Sequence, residues 1–209
     1  MFGLMEVDWR IDSVRAVLLD IGAAIRGCGR RIDEAVNTEQ EDYIEAVVDE
    51  ETAIIEDLLG AAFVVCQTYI SSVVATVKRW HRWALREGVQ LTTTSGDKPD
   101  IMRFGSAVAA PTRYTQVAVM DAFANCFKHN DEWGFDWTRL PGRSKGTAEV
   151  VMAAGAQPGS TGNMRTGSTT LGNVNYDGTC IFADILEGWR RNLSQAYVNE
   201  CRSRSLVAR

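Results

Sequence analysis

The feature that most constrains this 209-residue chain is an apolar stripe between Thr38 and Gly88. Ile44, Val47, Ile54, Leu58, Ala62, Cys66, Tyr69, Val73, Val77, Trp80 and Ala84 recur at about 3.6 residues, the period of one helix face. The pattern predicts one long helix, or two in line. Glu51 is the only charge on the stripe and Gly60 the only glycine inside it, so any break or kink is expected in the 51–60 window. Unbroken, such a helix would run roughly 60 Å at about 1.5 Å per residue, more than the diameter of a compact domain. That length favours a kink, or a partner subunit covering one end.

The rest of the chain reads as helices too. Val7, Ile11, Val14, Leu18, Ile21, Ile25, Cys28 and Ile32 alternate at four and three residues, which predicts a first amphipathic helix ending near Gly27 and Gly29. After Gly88 the segment VQLTTTSGDKPDIMRFGSAVAAP is polar and rich in breakers, so a loop with at most a short element is expected. A third major helix opens after Pro111, with Thr112 as its N-cap, and runs to about Glu132. Val117, Met120, Ala124 and Phe127 form its buried side, while Asp121, Asn125, His129 and Glu132 project opposite, within about 80° of one another. From Gly134 to Gly178 glycine is dense, and a long ordered loop is expected, with one short helix at Gly146 to Gly155. A closing helix from Thr179 to Arg204 carries Phe182, Ile185, Leu186, Trp189, Leu193, Ala196 and Tyr197 on one face and Arg190, Arg191, Arg202 and Arg204 near its polar side. The fold class is therefore all-α, a single domain over residues 1–209 built as a bundle of about four major helices with a long glycine-rich loop.

Charge and cysteine content bound the function. A formal net charge of −5 argues against a surface devoted to nonspecific phosphate binding, so any nucleic-acid site has to be local or shared between subunits. Cys28, Cys66, Cys126, Cys180 and Cys201 contain no Cys-x-x-Cys pair and read as reduced thiols. The start MFGLMEVDWRID lacks the basic end and apolar run of a signal peptide, and no later run is read as reaching membrane-spanning length free of charge. The cytoplasm of a microbial cell is the simplest home, with no membrane partner. Two histidines without carboxylates at ligand spacing give no metal site, and no cofactor is expected. Ser144, Lys145 and Gly146 are only a fragment of a phosphate-binding loop, with no strand before them. No serine or cysteine stands in a nucleophile motif.

One stretch carries recognisable chemistry. In AFANCFKHNDEWGFDW, residues 122–137, Asn125 and His129 lie one helical turn apart, so amide and imidazole share a helix face. The same side chains also fit a solvated or dimer-facing polar stripe, and Asn125 fits a residue that fixes helix register by a buried hydrogen bond. Trp133 and Trp137 fit a cap over the core, or a platform on which a base stacks. His81 stands among Lys78, Arg79, Arg82 and Arg86, a basic helix end suited to phosphate or to its own helix C-terminus.

The pairing of AFVVCQTYISSVV with AFANCFKHNDEW on successive helices resembles the HEPN superfamily (higher eukaryotes and prokaryotes nucleotide-binding domains), chiefly over residues 40–137. The resemblance implies a small helical bundle, often a homodimer. It also implies a metal-independent endoribonuclease, or an RNA-binding protein, of bacterial toxin–antitoxin or phage-defence systems, with RNA and an antitoxin or other protein as partners. On this chain the family's polar position matches Asn125 and its histidine matches His129, as catalytic residues. The arginine position holds Ala124, and alanine cannot steady a scissile phosphate. Lys128 and Arg165 are the residues expected to supply charge to RNA. The alternative is a noncatalytic helical dimer acting as a protein-interaction module.

Overall fold

The computed structural model describes residues 9–37 and 41–204. Seven α-helices and one 3-10 turn make up the described residues: α1 (Trp9–Val36), α2 (Glu41–Arg86), α3 (Lys98–Arg103), α4 (Gln116–Trp133), the 3-10 turn Trp137–Arg139, α5 (Gly142–Ala153), α6 (Asn163–Thr170) and α7 (Cys180–Ser203). Among them the only β pairing is an isolated bridge between Val108 and Thr115. The all-α expectation holds.

The stripe predicted for α2 is buried from Ala62 to Ala84, whereas before it Ile44, Val47 and Leu58 are half-buried, Ile54 is exposed, and the buried face there passes through Ile55 and Leu59. Leu59, Ala62, Phe63, Cys66, Ile70, Val77 and Ala84 are fully buried, and the helix continues without interruption for 46 residues, about 70 Å at ~1.5 Å per residue. The anticipated break at 51–60 is absent, for two local reasons. Glu51 is buried yet paired with Arg31 of α1, whose Nη2 lies 2.6 Å from its Oε2. Gly60 is a crossing point: a Cβ there would come within 2.1 Å of the Phe127 ring, so the missing side chain lets α4 seat an aromatic directly on the α2 backbone. A charge-free run of membrane-spanning length, not expected from the sequence, is present in α2. Residues 58–77 hold no charge, and α2 is long and apolar enough by composition to cross a membrane; 56% of its most apolar window is instead buried inside the bundle.

α1 runs antiparallel to α2, with Arg10 bonded to Ser72 near one end and Arg31 to Glu51 near the other. It does not stop at Gly27 and Gly29 but continues to Val36. Burial of Cys28 and Ala35 together with the Arg31 ion pair outweighs a glycine cost of about 1 kcal/mol each. Val7 lies outside the described residues. Where α2, α4 and α7 meet, Phe63 stacks between Phe123 and Phe182, with ring centroids 5.4 and 5.3 Å away. Trp189 of α7 donates its indole N–H to the Ile101 carbonyl of α3 at 3.1 Å, which fixes α3 against the bundle.

Three expectations from the sequence are corrected by the fold. α4 begins later than expected because residues 107–116 form a bridged turn, with Ala109 N–H on the Tyr114 carbonyl and Gln116 N–H on the Ala107 carbonyl, both at 2.8 Å. Thr112 accepts from the Tyr114 N–H inside that turn, and Thr115 is the cap of α4. The glycine-rich region is not one loop but α5, α6 and short connections. α6 forms in NMRTGSTT because the Glu56 carboxylate of α2 accepts from the first-turn N–H groups of Met164 (2.8 Å) and Arg165 (3.1 Å). In α7 the apolar face is as read, but Arg190 is buried rather than on a polar side, since α7 lies between α1 and α3.

Candidate functional site

α4 is enclosed along most of its length: Val117, Val119, Met120, Phe123, Ala124 and Cys126 are fully buried. A strip through Ala118, Asp121, Asn125, His129 and Trp133, buried at Asp121 and Trp133 and open at His129, forms the floor of a half-open cleft of about 1170 Å³. The C-terminal part of α2, one side of α3, the 113–115 turn and the start of α5 build the walls, contributing Lys78, Lys98, Arg103, Arg113 and Arg143. Five cations thus face two carboxylates, Asp97 and Asp121, in a chain whose formal net charge is −5. The local field is opposite in sign to the global one.

The floor is ordered by a polar network between α2, α3 and α4. Asp121 is buried and takes the Lys98 ammonium on both oxygens, at 2.8 and 2.7 Å. Gln67 of α2 donates to the same carboxylate at 2.9 Å and to the Asp121 carbonyl at 3.2 Å, while Lys128 donates to the Gln67 amide oxygen. Asn125 donates to the Asp121 carbonyl at 2.9 Å. The predicted stripe is therefore not uniform: Asp121 is a buried anchor, and only the far end opens. His129 is exposed, with Nδ1 3.2 Å from the Glu132 carboxylate.

Asn125 and His129 come together on the cleft floor, and Lys128 and Arg165 do not join them. The Lys128 side chain is turned toward α2, and Arg165 pairs with Glu56 at 2.8 Å at the start of α6. Ala124, at the position where the resemblance expects arginine, is fully buried. Trp133 and Trp137 are both buried and meet edge to face, centroids 5.4 Å apart, closing the core end of α4. His81 is likewise occupied, with Nε2 2.7 Å from the Tyr197 hydroxyl and its pKa held below the usual value by burial. The cysteines are free thiols, and burial pushes that of Cys126 up to about 12, far from a thiolate nucleophile. Among the described residues no three His, Cys, Asp or Glu side chains converge as a metal site would need.

Sequence reasoning missed the walls. Lys98, Arg113 and Arg143 sit on three elements, and nothing in their spacing announces a shared cleft. Two local signs touch the cleft: the basic helix end that includes Lys78, and Ser144 and Gly146 of the phosphate-loop fragment next to Arg143. No protein-family model, curated protein or solved structure matches the chain. The site accordingly has to be read from its own chemistry: cations suited to phosphate oxygens, an exposed imidazole able to take or give a proton, and an amide beside it.

Proposed function

We propose that this chain is a HEPN-like, RNA-targeting protein whose nucleic-acid strand lies in the α4 cleft. The observation that carries this reading is that Asn125 and His129 share a floor walled by five cations, in a protein that is acidic as a whole. An open, cation-lined groove tracks a phosphodiester backbone, because each neutralised phosphate releases counterions. In the cleavage step His129 takes the proton of a ribose 2′-hydroxyl as that oxygen attacks the adjacent phosphorus, the bond to the 5′-oxygen breaks with a proton from water to leave a 5′-hydroxyl and a 2′,3′-cyclic phosphate, and Asn125 hydrogen-bonds the reacting group. The setting that suits such an activity is a cytoplasmic toxin–antitoxin or phage-defence system, with a homodimer and an antitoxin or other protein as partners.

Expression of the wild type in a bacterial host is expected to arrest growth with fragmentation of total RNA. His129→Ala should remove both, through a loss of about 10²- to 10⁴-fold in cleavage, with unchanged thermal stability because the imidazole is exposed. Equal behaviour of the two proteins would overturn the ribonuclease reading. A second reading, a noncatalytic dimer, draws on a different observation: Val17, Leu19, Val36, Tyr43 and Ile54 of α1 and α2 are exposed apolar side chains. It predicts a stable dimer by analytical ultracentrifugation, and a monomer would count against it.

A further inference from the structure

The cations of the cleft differ in whether the protein itself neutralises them. Lys98 is held by Asp121 and Arg103 by Asp100, at 2.7 Å each. Lys78, Arg113 and Arg143 have no carboxylate within ion-pair distance among the described residues. Arg113 does not hang free: its guanidinium lies over the Tyr114 ring, 5.3 Å from the centroid, and donates to the Tyr114 hydroxyl at 3.2 Å. Glu149 adds only a weak, longer-range attraction to it. The ring therefore fixes the head group without cancelling its charge, which is preorganisation for an anion. Arg143 approaches from the first turn of α5, on a different wall.

We propose that Arg113 and Arg143 form a two-sided phosphate clamp across the α4 cleft, with single-stranded RNA backbone as its ligand. The identity of the ligand rests on the RNA reading above, whereas the clamp rests on the charge accounting alone. Two forked guanidiniums suit the paired oxygens of a phosphate better than a lysine would. The volume of about 1170 Å³ lies above the ~300–1,000 Å³ usual for small-molecule sites, and a half-open groove lets a strand enter and leave at its ends. Because the clamp touches phosphate and not bases, it adds affinity without sequence preference.

The experiment measures binding of short labelled oligoribonucleotides of differing sequence, and separately of pyrophosphate, as a function of salt. The proteins are wild type, Arg113→Gln, Arg143→Gln, the double variant, and a control, Arg79→Gln with Arg82→Gln, on the same end of α2 but outside the cleft. Each cleft substitution is expected to weaken RNA binding about tenfold for every sequence, and the double variant to lower the slope of log K against log salt by about 1.4, at ~0.7 per lost phosphate contact on a single strand. The control should behave as wild type, and thermal unfolding of all variants should match. If wild type binds RNA and the cleft variants bind it equally well, the clamp is overturned and the RNA reading stands. Binding of pyrophosphate but not RNA, lost in the double variant, would support the clamp and overturn RNA as its ligand. Failure of the wild type to bind either probe overturns both.

Discussion

Two polar regions grow from the same end of α2, and they use charge in opposite ways. One turn apart on that helix, Lys78 faces the cleft and His81 faces the end of α7. At the α7 end Glu200, Tyr197 and His81 are met by polar groups of the protein itself. The Glu200 carboxylate accepts the N–H and hydroxyl of Thr92 (2.6 and 2.9 Å) and of Thr93 (3.0 and 2.6 Å), and pairs with Arg204 at 2.9 Å. The Tyr197 hydroxyl joins Thr94 at 2.6 Å and His81 at 2.7 Å. This knot ties the 92–94 strap to α7 and α2. At the cleft, by contrast, the floor is tied by Asp121, but Lys78, Arg113 and Arg143 on the walls meet no carboxylate among the described residues. Both regions are rich in hydrogen bonds, so polarity alone does not mark a site. The unanswered charge does.

The sharpest way to break this contrast is to open the knot. Glu200→Ala removes the partner of five donors, two from Thr92, two from Thr93 and the Arg204 guanidinium, and a destabilisation of about 2–4 kcal/mol is expected by urea unfolding, with RNA binding retained at temperatures where the protein stays folded. The knot also has a pH signature. Burial alone would raise the Glu200 pKa, but the bonds from Thr93 and Thr92 outweigh it and bring it down to about 2 from an ordinary 4.5. The folded state thus binds fewer protons than the unfolded one, so stability is intact above about pH 4.5 and falls as pH drops toward 2. In Glu200→Ala that part of the acid loss should vanish, and an unchanged acid limb would place the titration elsewhere.

Removing only the hydroxyl is milder. Tyr197→Phe leaves His81 and Thr94 without their shared partner while keeping the ring, which packs edge to face on Trp80 at 5.5 Å, and a loss of about 1–2 kcal/mol is expected. The smallest structural effect belongs to the cleft walls. Arg143→Gln should change unfolding free energy by no more than about 0.5 kcal/mol, because the side chain is exposed and answers no carboxylate among the described residues. A larger loss would mean that the cleft cations serve the fold, and the contrast between the regions would fail.

Much of the scaffold is legible in the chain because helical periodicity is a local property. The α2 and α7 stripes, the buried positions Val117, Met120 and Ala124 of α4, and the closeness of Asn125 to His129 all follow from residues three or four apart. The errors fall where a distant partner overrides a local signal. Gly60 reads as a flexible point until Phe127 is laid upon it, and Asp121 reads as a solvated residue until Gln67 and Lys98 surround it. The glycines after Gly134 read as loop because the carboxylate that caps α6, Glu56, lies 107 residues before Asn163.

By itself, then, the sequence determined an all-α chain, the helix faces that pack, and one turn of α4 bearing an amide and an imidazole. Tertiary structure alone decided that α2 stays unbroken, that the glycine-rich segment folds, and that Lys78, Arg113 and Arg143 line one cleft with His129. The reason is physical. Hydrophobic periodicity is written within a few residues, whereas an electrostatic site is the sum of charges brought together by packing, and no short stretch of chain contains that sum.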